Sequence, residues 1–372
     1  MRSARQSRPE SLAKEGGGKI GESMGSENRA EQAPGRRVLV TGGAGYVGSV
    51  SVERLLEAGH DVVVLDDLST GHREAVPDVA SLEVGSYGDA ERIGRLLERA
   101  QVDAILHCAA RSLVGESVRE PARYYHDNVA GGIVLLDAAR QAGVDRIVFS
   151  STAAVYGVPE TTPIPEIAPL AAINPYGETK RTFEGALRFY GEAYGLRSAS
   201  LRYFNVAGAT EALGELHDPE THLIPTVLRA AETGEPIALF GDDYPTPDGT
   251  CIRDYIHVAD LADAHLLALV ATASEEPDER PWAAYNLGIG RGFSVREVVA
   301  AAEEVVGRTI PTTTGPRRPG DPPVLVAAVD RAHTELGWTA TRPGLADMIA
   351  SAWEWRRRNV DPETGRRREI AS

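Results

Sequence analysis

VTGGAGYVGS, residues 40–49, lies between an apolar run, Arg36–Thr41, and a helical pattern that reaches Ala58. It contains four glycines, of which Gly42, Gly45 and Gly48 are spaced three residues apart. Glycine allows a tight turn and a close approach of the backbone to a ligand, and the start of a helix offers unpaired N–H groups to an anion. The spacing is GxxGxxG and differs from the GxGxxG fingerprint. The pattern predicts a strand, a turn and a helix that together hold the pyrophosphate of a dinucleotide.

Strand and helix patterns alternate on the C-terminal side of this turn. The apolar runs of strand length are Asp61–Asp66, Asp103–His107, Arg146–Ser150 and Arg197–Tyr203; the helical patterns cover Gly45–Ala58, 88–100, 118–142 and Pro175–Tyr194. Nearly continuous apolar strands separated by helices indicate a parallel sheet that is covered on both faces. After residue 207, turn-rich stretches such as Asp242–Gly249 and Gly315–Pro323 separate shorter elements. We therefore expect an α/β protein with a Rossmann-like, doubly wound parallel sheet and a smaller C-terminal substrate-binding lobe.

These patterns divide the chain into four expected parts. Residues 1–35 form a disordered leader in which Met24 is an alternative start. Residues 36–206 form a dinucleotide-binding Rossmann domain, to which residues 256–288 return. Residues 207–255 and 289–355 form a smaller lobe for a second ligand. Residues 356–372, with Arg356–Arg358 and Arg366–Arg368, form a solvated basic tail.

Composition and charge exclude several classes of protein. The chain has 372 residues, 42% of them hydrophobic, and a net charge of −15. This charge argues against bulk binding to nucleic acid or to an anionic membrane, and no apolar run is long enough for a membrane span. The two cysteines fit a reducing compartment and fall short of a four-ligand zinc site. We expect a cytoplasmic protein that binds neither nucleic acid nor membrane.

Asp66 ends the second strand, close to the distance along the chain at which dinucleotide-binding folds carry an acidic residue for the adenosine ribose. Its carboxylate can accept hydrogen bonds from the ribose hydroxyls. It would repel the 2′-phosphate of NADP, and no arginine lies beside it in the sequence to compensate. The cofactor expected from these residues is NAD.

A second group of residues has the types needed for proton transfer. Tyr176 and Lys180 lie four residues apart at a helix start, so their side chains share one helical face. Thr152 follows the strand Arg146–Ser150, at the sheet edge where open α/β folds bind ligands. A tyrosine with a pKa of about 10 is a poor base at neutral pH, but a nearby ammonium and a positive nicotinamide would lower that pKa. We expect Tyr176 as acid and base, Lys180 as its partner and Thr152 as an orienting hydroxyl.

The sequence resembles the extended short-chain dehydrogenase/reductases, and within them the UDP-hexose 4-epimerases, from about Arg36 to Trp355. The motifs that carry the resemblance are VTGGAGYVGS (40–49), VVLDDLSTG (63–71), VGESVREP (114–121), SSTAAVYG (150–157), NPYGETK (174–180), LRYFNVAGA (201–209), THLIP (221–225), YPTPDGTCIRDYIHV (244–258), YNLG (285–288) and GPRRPGD (315–321). The resemblance implies NAD-dependent interconversion of UDP-glucose and UDP-galactose. Hydride leaves C4 of the sugar, Tyr176 takes the O4 proton, the 4-keto sugar turns and the hydride returns to the other face. It also implies a homodimer, with the helices at 118–142 and 175–194 paired across a twofold axis.

The resemblance also implies a set of site residues. Besides the glycines, the NAD site is expected to contain Tyr46, Val47, Asp66, Asp67, Ser86, Tyr87, Cys108, Ala109, Ala110, Asp127, Lys180 and Phe204. The nucleotide sugar is expected to contact Thr152, Tyr176, Asn205, His222, Leu223, Arg253, Arg318, Asp321 and Leu325. Ser86, Ser112 and Asp127 depart from the residues that relatives often carry at these positions. Nothing near His222 has metal-ligand spacing in the sequence, so we expect no metal site.

Other functions remain open on the sequence alone. A nucleotide-sugar 4,6-dehydratase needs an acid/base pair directly after the active-site threonine, where this chain has Ala153 and Ala154. A UDP-glucuronate or UDP-pentose epimerase or decarboxylase is a further alternative, with Arg111 as a candidate partner for a C6 carboxylate. Leu325 stands where some bacterial relatives carry a bulky tyrosine, so UDP-N-acetylhexosamines are expected side substrates. A non-catalytic NAD-binding protein would not need Tyr176 or Lys180, and both are present.

Overall fold

The computed structural model describes residues 36–273, 281–318 and 321–361. The expected leader, with Met24, and Arg366–Arg368 of the expected tail lie outside the described residues. Within the described ranges, no helix is long and apolar enough to cross a membrane.

Strands and helices alternate through most of the described chain. The strands are β1 (Arg37–Thr41), β2 (Asp61–Asp66), β3 (Ser81–Val84), β4 (Ala104–His107), β5 (Arg146–Ser150), β6 (Arg197–Tyr203), β7 (Asn205–Ala207), β8 (Ile237–Phe240), β9 (Ile252–His257), β10 (Trp282–Leu287), β11 (Gly292–Ser294), β12 (Thr312–Gly315) and β13 (Val324–Leu325). The helices are α1 (Tyr46–Glu57), α2 (Ala90–Ala100), α3 (Val114–Arg119), α4 (Pro121–Tyr124), α5 (Gly131–Gln141), α6 (Pro175–Tyr194), α7 (Leu223–Thr233), α8 (Val258–Ala271), α9 (Val295–Val306), α10 (Asp330–Leu336) and α11 (Leu345–Asn359). Short 3-10 turns cover Arg73–Ala75 and Ala153–Tyr156, and a π-helical turn covers Tyr125–Ala130.

A parallel sheet with the strand order β10-β6-β5-β4-β1-β2-β3 forms the centre of the molecule. Successive side chains of a strand point to opposite faces of the sheet. Apolar side chains of these strands lie on both faces. Val38 and Val40 pack toward α1 and α8 on one face, whereas Leu39 packs toward α2, α5 and α6 on the other. The predicted fold class, a doubly wound Rossmann-like α/β sheet, is confirmed.

The order of the strands reverses at β1, which lies between β2 and β4. The chain builds the sheet outward from β1 in one direction through β2 and β3, and in the other through β4, β5 and β6. Loops leave the carboxyl ends of β1 and β4 on opposite faces and open a crevice between them, where open α/β folds bind their ligands. The glycine turn after β1 and residues 108–110 after β4 lie against each other at this crevice, where the N–H groups of Cys108 and Ala109 donate to the carbonyl oxygen of Thr41 at 3.0 and 2.9 Å.

The second part of the molecule is built around a small sheet of β7, β9, β11 and β13, with the pair β8 and β12 beside it. Its apolar cluster joins Val227 of α7, Val298 of α9 and Met348 of α11. The limits differ from the expected ones. The strand β7 crosses the expected boundary at 206 and pairs with β9, whose last residues, Ile256 and His257, therefore belong to the small sheet. The chain returns to the main sheet through α8 and β10.

Two local expectations are wrong in detail. The helix expected over 118–142 is broken into α3, α4, the π-helical turn and α5, since Pro121 has no N–H to continue α3 and instead starts α4. The helix α11 runs to Asn359, so the expected tail does not begin at Arg356. That arginine is buried and its Nε lies 2.7 Å from a carboxylate oxygen of Glu232.

Candidate active site

The turn between β1 and α1 fits a bound pyrophosphate. Gly42 has a φ of +74°, and a Cβ there would lie 2.5 Å from the backbone nitrogen of Ala109. A Cβ on Gly48 would lie 2.0 Å from the carbonyl oxygen of Gly42. No side chain caps the start of α1, so its first N–H groups point into the crevice without a side-chain acceptor. These features suit the anionic centre of NAD.

The carboxylate of Asp66 is buried at the end of β2 and holds the loop that follows. Its oxygens accept hydrogen bonds from the backbone N–H groups of Ala44, at 3.0 Å, and Leu68, at 2.9 Å. Burial raises the pKa of Asp66, and these two hydrogen bonds oppose the rise. Each oxygen keeps a further lone pair for a ribose hydroxyl. Asp66 therefore fixes the glycine turn as well as facing the crevice.

Most of the predicted site residues line one cleft of about 870 Å³, a size typical of a site for a large ligand. They are Gly42, Gly45, Tyr46, Val47, Gly48, Asp66, Asp67, Ser86, Tyr87, Cys108, Ala109, Ala110, Asp127, Thr152, Tyr176, Lys180, Phe204, Asn205, His222 and Leu325. Four predicted residues lie outside this lining, namely Leu223, Arg253, Arg318 and Asp321. The structure thus brings the residues expected at the NAD site, and part of those expected at the nucleotide sugar, to a single opening.

The proposed catalytic side chains meet at the start of α6. Asn174 caps this helix by accepting a hydrogen bond from the N–H of Gly177, and Pro175 occupies the first turn, so the helix begins just before Tyr176. The side chain of Thr152, after β5, lies close enough to Tyr176 to oppose a rise in the pKa of its phenol. One turn further, the ammonium of Lys180 lies 6.0 Å from the centre of the Tyr176 ring. One loop and one helix therefore hold the three groups together.

Burial sets the protonation of this pair. It raises the pKa of Tyr176 to about 12, although the side chain of Thr152 opposes the rise. Burial also lowers the pKa of Lys180 to about 8, with Cys108 and Glu184 acting in the opposite direction. In the protein alone, desolvation of the phenolate is the dominant influence on the pKa of Tyr176. The lowering expected from the ammonium of Lys180 together with a bound nicotinamide stays a prediction.

A buried ion pair that sequence reasoning missed lies one turn beyond Lys180. The guanidinium of Arg202, on β6, makes two hydrogen bonds to the carboxylate of Glu184, with Nε at 3.0 Å and the closest contact at 2.5 Å. Ser151 donates to the same carboxylate at 2.5 Å, and Arg202 also donates to the hydroxyl of Tyr156 at 2.9 Å. The signal in the sequence was the spacing, because Glu184 continues the series that Tyr176 and Lys180 begin at four-residue steps.

The charged residues expected at the diphosphate and at a uronate already have partners. Arg253 pairs with Asp321, and its guanidinium also donates to the carbonyl of Ile252 at 2.7 Å. The guanidinium of Arg318 lies 4.1 Å from the centre of the Phe240 ring. Arg111, the candidate for binding a C6 carboxylate, is paired with Asp127 in the cleft wall. Its charge is matched by a neighbour, which weakens the case for a uronate.

His222 belongs to a cluster of four side chains on the loop between β7 and α7. Its Nδ1 lies 2.8 Å from a carboxylate oxygen of Glu215 and 2.9 Å from one of Glu220, and Nδ1 of His217 lies 3.0 Å from Glu215. Burial alone lowers the pKa of His222, but the two carboxylates outweigh it and raise the pKa to about 10. The expectation that nothing near His222 has metal-ligand spacing is wrong, because residues 215–222 have the pattern E-x-H-x-x-E-x-H and its four side chains lie together.

Comparisons with known proteins agree on one family. The model of the NAD dependent epimerase/dehydratase family matches residues 38–288. The UDP-glucose 4-epimerase of Corynebacterium glutamicum is 50% identical over 319 residues, which are 85% of this chain and 94% of that protein.

Solved structures show the same likeness in three dimensions. The UDP-glucose 4-epimerase of Brucella ovis, in complex with NAD, superposes with a TM-score of 0.82 at 46% identity, covering 86% of this chain and 98% of that one. The enzyme of Bifidobacterium longum, in complex with NAD⁺ and UDP, gives 0.82 at 38% identity, with 87% and 98% covered. The chain therefore belongs to the NAD dependent epimerase/dehydratase family, within the UDP-glucose 4-epimerase branch of the extended short-chain dehydrogenase/reductases.

Proposed function

We propose that this protein interconverts UDP-glucose and UDP-galactose with NAD as a retained cofactor. The observation that carries the proposal is the grouping of Thr152, Tyr176 and Lys180 in the same cleft as the glycine turn. A hydroxyl pair that can exchange a proton thus faces the crevice that suits a dinucleotide. The relatives with about the same length and half of the same residues are UDP-glucose 4-epimerases, which supports this substrate.

In this proposal NAD, when bound, supplies the hydride acceptor and a positive charge close to Tyr176. The chain's own residues handle the proton. Tyr176 takes the proton from O4 of the hexose as C4 is oxidised and gives it back as C4 is reduced. Thr152 accepts or donates a hydrogen bond to the same O4 and holds it near Tyr176. Lys180 favours the phenolate by its charge and lies within reach of the nicotinamide ribose.

We further propose a division of labour between the two parts of the chain. The NAD site would be formed by the residues that line the cleft beside β1, β2 and β4, namely Gly42, Gly45, Tyr46, Val47, Gly48, Asp66, Asp67, Ser86, Tyr87, Cys108, Ala109, Ala110 and Asp127, with Lys180 and Phe204. The nucleotide sugar would contact Asn205, His222 and Leu325 at the cleft. Four further residues of the small lobe lie outside the cleft lining, namely Leu223, Arg253, Arg318 and Asp321. They can contact the nucleotide sugar only if the lobe moves or if the ligand extends beyond the cleft.

The residues beside the cleft favour an epimerase over the alternatives. A dehydratase needs an acid and a base after Thr152, but Ala153 and Ala154 occupy these positions in the cleft lining. A uronate needs an unmatched positive charge, whereas Arg111 is paired. Leu325 packs near Phe204 at the cleft and is smaller than a tyrosine, which supports UDP-N-acetylhexosamines as side substrates.

We also propose that the protein is a homodimer. Val118 on α3 and Phe189 on α6 are 63% and 57% exposed, and Tyr125 in the π-helical turn is exposed beside them. Exposed apolar side chains on neighbouring helices are typical of an interface between subunits. Sedimentation of the purified chain as a monomer at micromolar concentration would count against the dimer.

Both cysteines are free thiols, in keeping with a reducing compartment such as the cytoplasm.

The decisive experiment incubates the purified protein with UDP-galactose, without added cofactor, and separates the sugar nucleotides by chromatography. We expect UDP-glucose to form, because NAD remains bound through purification. Tyr176→Phe should lower the rate by about 10²–10⁴-fold, the usual contribution of a general acid and base. Tyr194→Phe, which removes a hydroxyl from an exposed tyrosine of the same helix, is the matched control. No conversion even with NAD supplied would overturn the proposed substrate.

A further inference from the structure

The loop between β7 and α7 carries four potential metal ligands within eight residues. Glu215, His217, Glu220 and His222 each offer one ligand atom, and these atoms all lie within 4.8 Å of one another. The proposed reaction does not use such a cluster, and three of its members were not expected to take part in substrate binding.

The distances within the cluster suit a small divalent ion. Bonds of about 2.0–2.2 Å to nitrogen and oxygen in a tetrahedron place neighbouring ligand atoms about 3.3–3.5 Å apart. The contacts of His222 with Glu215 and Glu220 are 2.8 and 2.9 Å, and that of His217 with Glu215 is 3.0 Å. Each imidazole has one hydrogen at most on Nδ1, so His222 shares its hydrogen between two carboxylates. An ion that replaces these hydrogens would need the contacting atoms to separate by about half an ångström, and the more distant ligand atoms, which lie within 4.8 Å, to move closer.

The loop holds these side chains in place from outside the cluster. One oxygen of Glu220 accepts hydrogen bonds from the backbone N–H groups of Thr221 and His222, both at 2.8 Å. A ring nitrogen of His72 lies 2.8 Å from the carbonyl oxygen of Leu216. Such outer contacts orient ligands and reduce the cost of assembling a site.

The cluster is also open to solution from the cleft. Glu215 is mostly buried, but His217 and His222 expose 25% and 42% of their side chains, and both line the cleft. An ion can therefore enter without unfolding the loop. Two carboxylates match the charge of a dication, and two imidazoles favour zinc-like ions over Mg²⁺ and Ca²⁺, which prefer ligand sets made of oxygen.

We propose that Glu215, His217, Glu220 and His222 form a binding site for one divalent transition-metal ion of the Zn²⁺ class. The proposal does not depend on the epimerase activity, because its test measures metal binding directly. His217 is the member best suited to a variant, since it has no place in the proposed catalytic or substrate-binding groups.

The experiment titrates the metal-free full chain, treated with chelator and without an affinity tag, with Co²⁺ and with Zn²⁺. We expect one ion per chain by calorimetry, and for Co²⁺ the intense visible absorption of four-coordinate geometry. Removing a residue that only orients a metal ligand weakens metal binding by about 10–100-fold. His217→Gln removes a ligand itself, so it should weaken metal binding by at least about 100-fold. His333→Gln, at an exposed histidine outside the cluster, is the matched control and should bind as the unaltered protein does.

Two results would overturn the metal site. One is the absence of stoichiometric binding to the unaltered protein at micromolar Zn²⁺ and Co²⁺. The other is equal binding by His217→Gln, which would place the ion elsewhere, for example on the thiols. A circular dichroism melt of His217→Gln checks that its loss of binding does not reflect loss of the fold. Epimerase activity in the metal-free protein tests the proposed function separately.

Discussion

Replacing Arg202 with methionine should destabilise the protein far more than an ordinary surface change. The side chains of Arg202 and Glu184 are each only 2% exposed, and the pair joins β6 to the helix that carries Tyr176 and Lys180. Arg202→Met keeps much of the volume but leaves the Glu184 carboxylate buried with Ser151 as its remaining partner.

The size of the effect follows from that burial. Removing one member of a buried pair typically costs about 3–5 kcal/mol, because the other charge is left without compensation. For a chain of this size, about 2 cal/mol/K of unfolding entropy per residue converts this loss to a fall in Tm of about 4–7 °C. Calorimetry or a denaturant titration followed by circular dichroism measures both quantities.

A double variant separates the buried charge from simple loss of packing. Arg202→Met combined with Glu184→Leu removes both charges and should recover most of the free energy lost in Arg202→Met. A single variant within about 1 kcal/mol of the unaltered protein would refute the reasoning, since 1 kcal/mol is the range of an exposed pair. A double variant no more stable than Arg202→Met would refute it as well.

Further outcomes are expected at the cleft. Gly48→Ala should abolish co-purification of NAD, measured by absorbance of the released nucleotide, because its Cβ would lie 2.0 Å from the Gly42 carbonyl oxygen; retention of NAD would refute the tight turn. Burial lowers the pKa of Lys180 to about 8, so the unfolded chain binds this proton more tightly. The free energy of unfolding of Lys180→Met should therefore exceed that of the unaltered protein at pH 7. This difference should shrink as the pH rises from about 8 to about 10.5, which paired denaturant titrations measure. A difference that does not depend on pH would contradict the prediction. Leu325→Tyr should lower kcat/KM for UDP-N-acetylglucosamine more than for UDP-galactose, and equal losses would remove Leu325 as a determinant of substrate choice.

Local sequence patterns were sufficient where a feature depends on neighbouring residues. The strands Asp61–Asp66 and Arg197–Tyr203 have the expected limits. The first contains the continuous apolar run Val62–Leu65, whereas the second contains two arginines and two serines and is delimited by the end of the preceding helix at Tyr194. The strand Ser81–Val84 was missed because it is short, lies at the sheet edge and alternates with polar residues. Proline has no N–H for the hydrogen bond of a helix interior, so Pro121 interrupts the helical pattern. The helical periodicity on both sides of Pro121 nevertheless predicts one continuous helix.

Features that depend on distant parts of the chain could not be found in this way. The boundary at 206 failed because β7 finds its partner, β9, about fifty residues further along the chain. The glycine turn is predicted by its three-residue spacing, and the Tyr176–Lys180 pair by its four-residue spacing. Both patterns lie within one short stretch of the chain. The pairing of Glu184 with Arg202, and of Arg111 with Asp127, joins separate elements. Whether such a charge is free or already matched is decided only when the elements pack.

The position of β10 at the edge of the main sheet governs the order in which the molecule can be completed during synthesis. When the ribosome has released β6, six strands are present, but the outer edge of β6 has no partner until residues 282–287 follow. The helix α8, which covers one face of the sheet, also comes late. A fragment ending at 206 would therefore present an open strand edge and an uncovered apolar face, both of which promote aggregation. The dinucleotide-binding half cannot be released by proteolysis or gene truncation at that point, and it matures only after much of the small lobe has been translated.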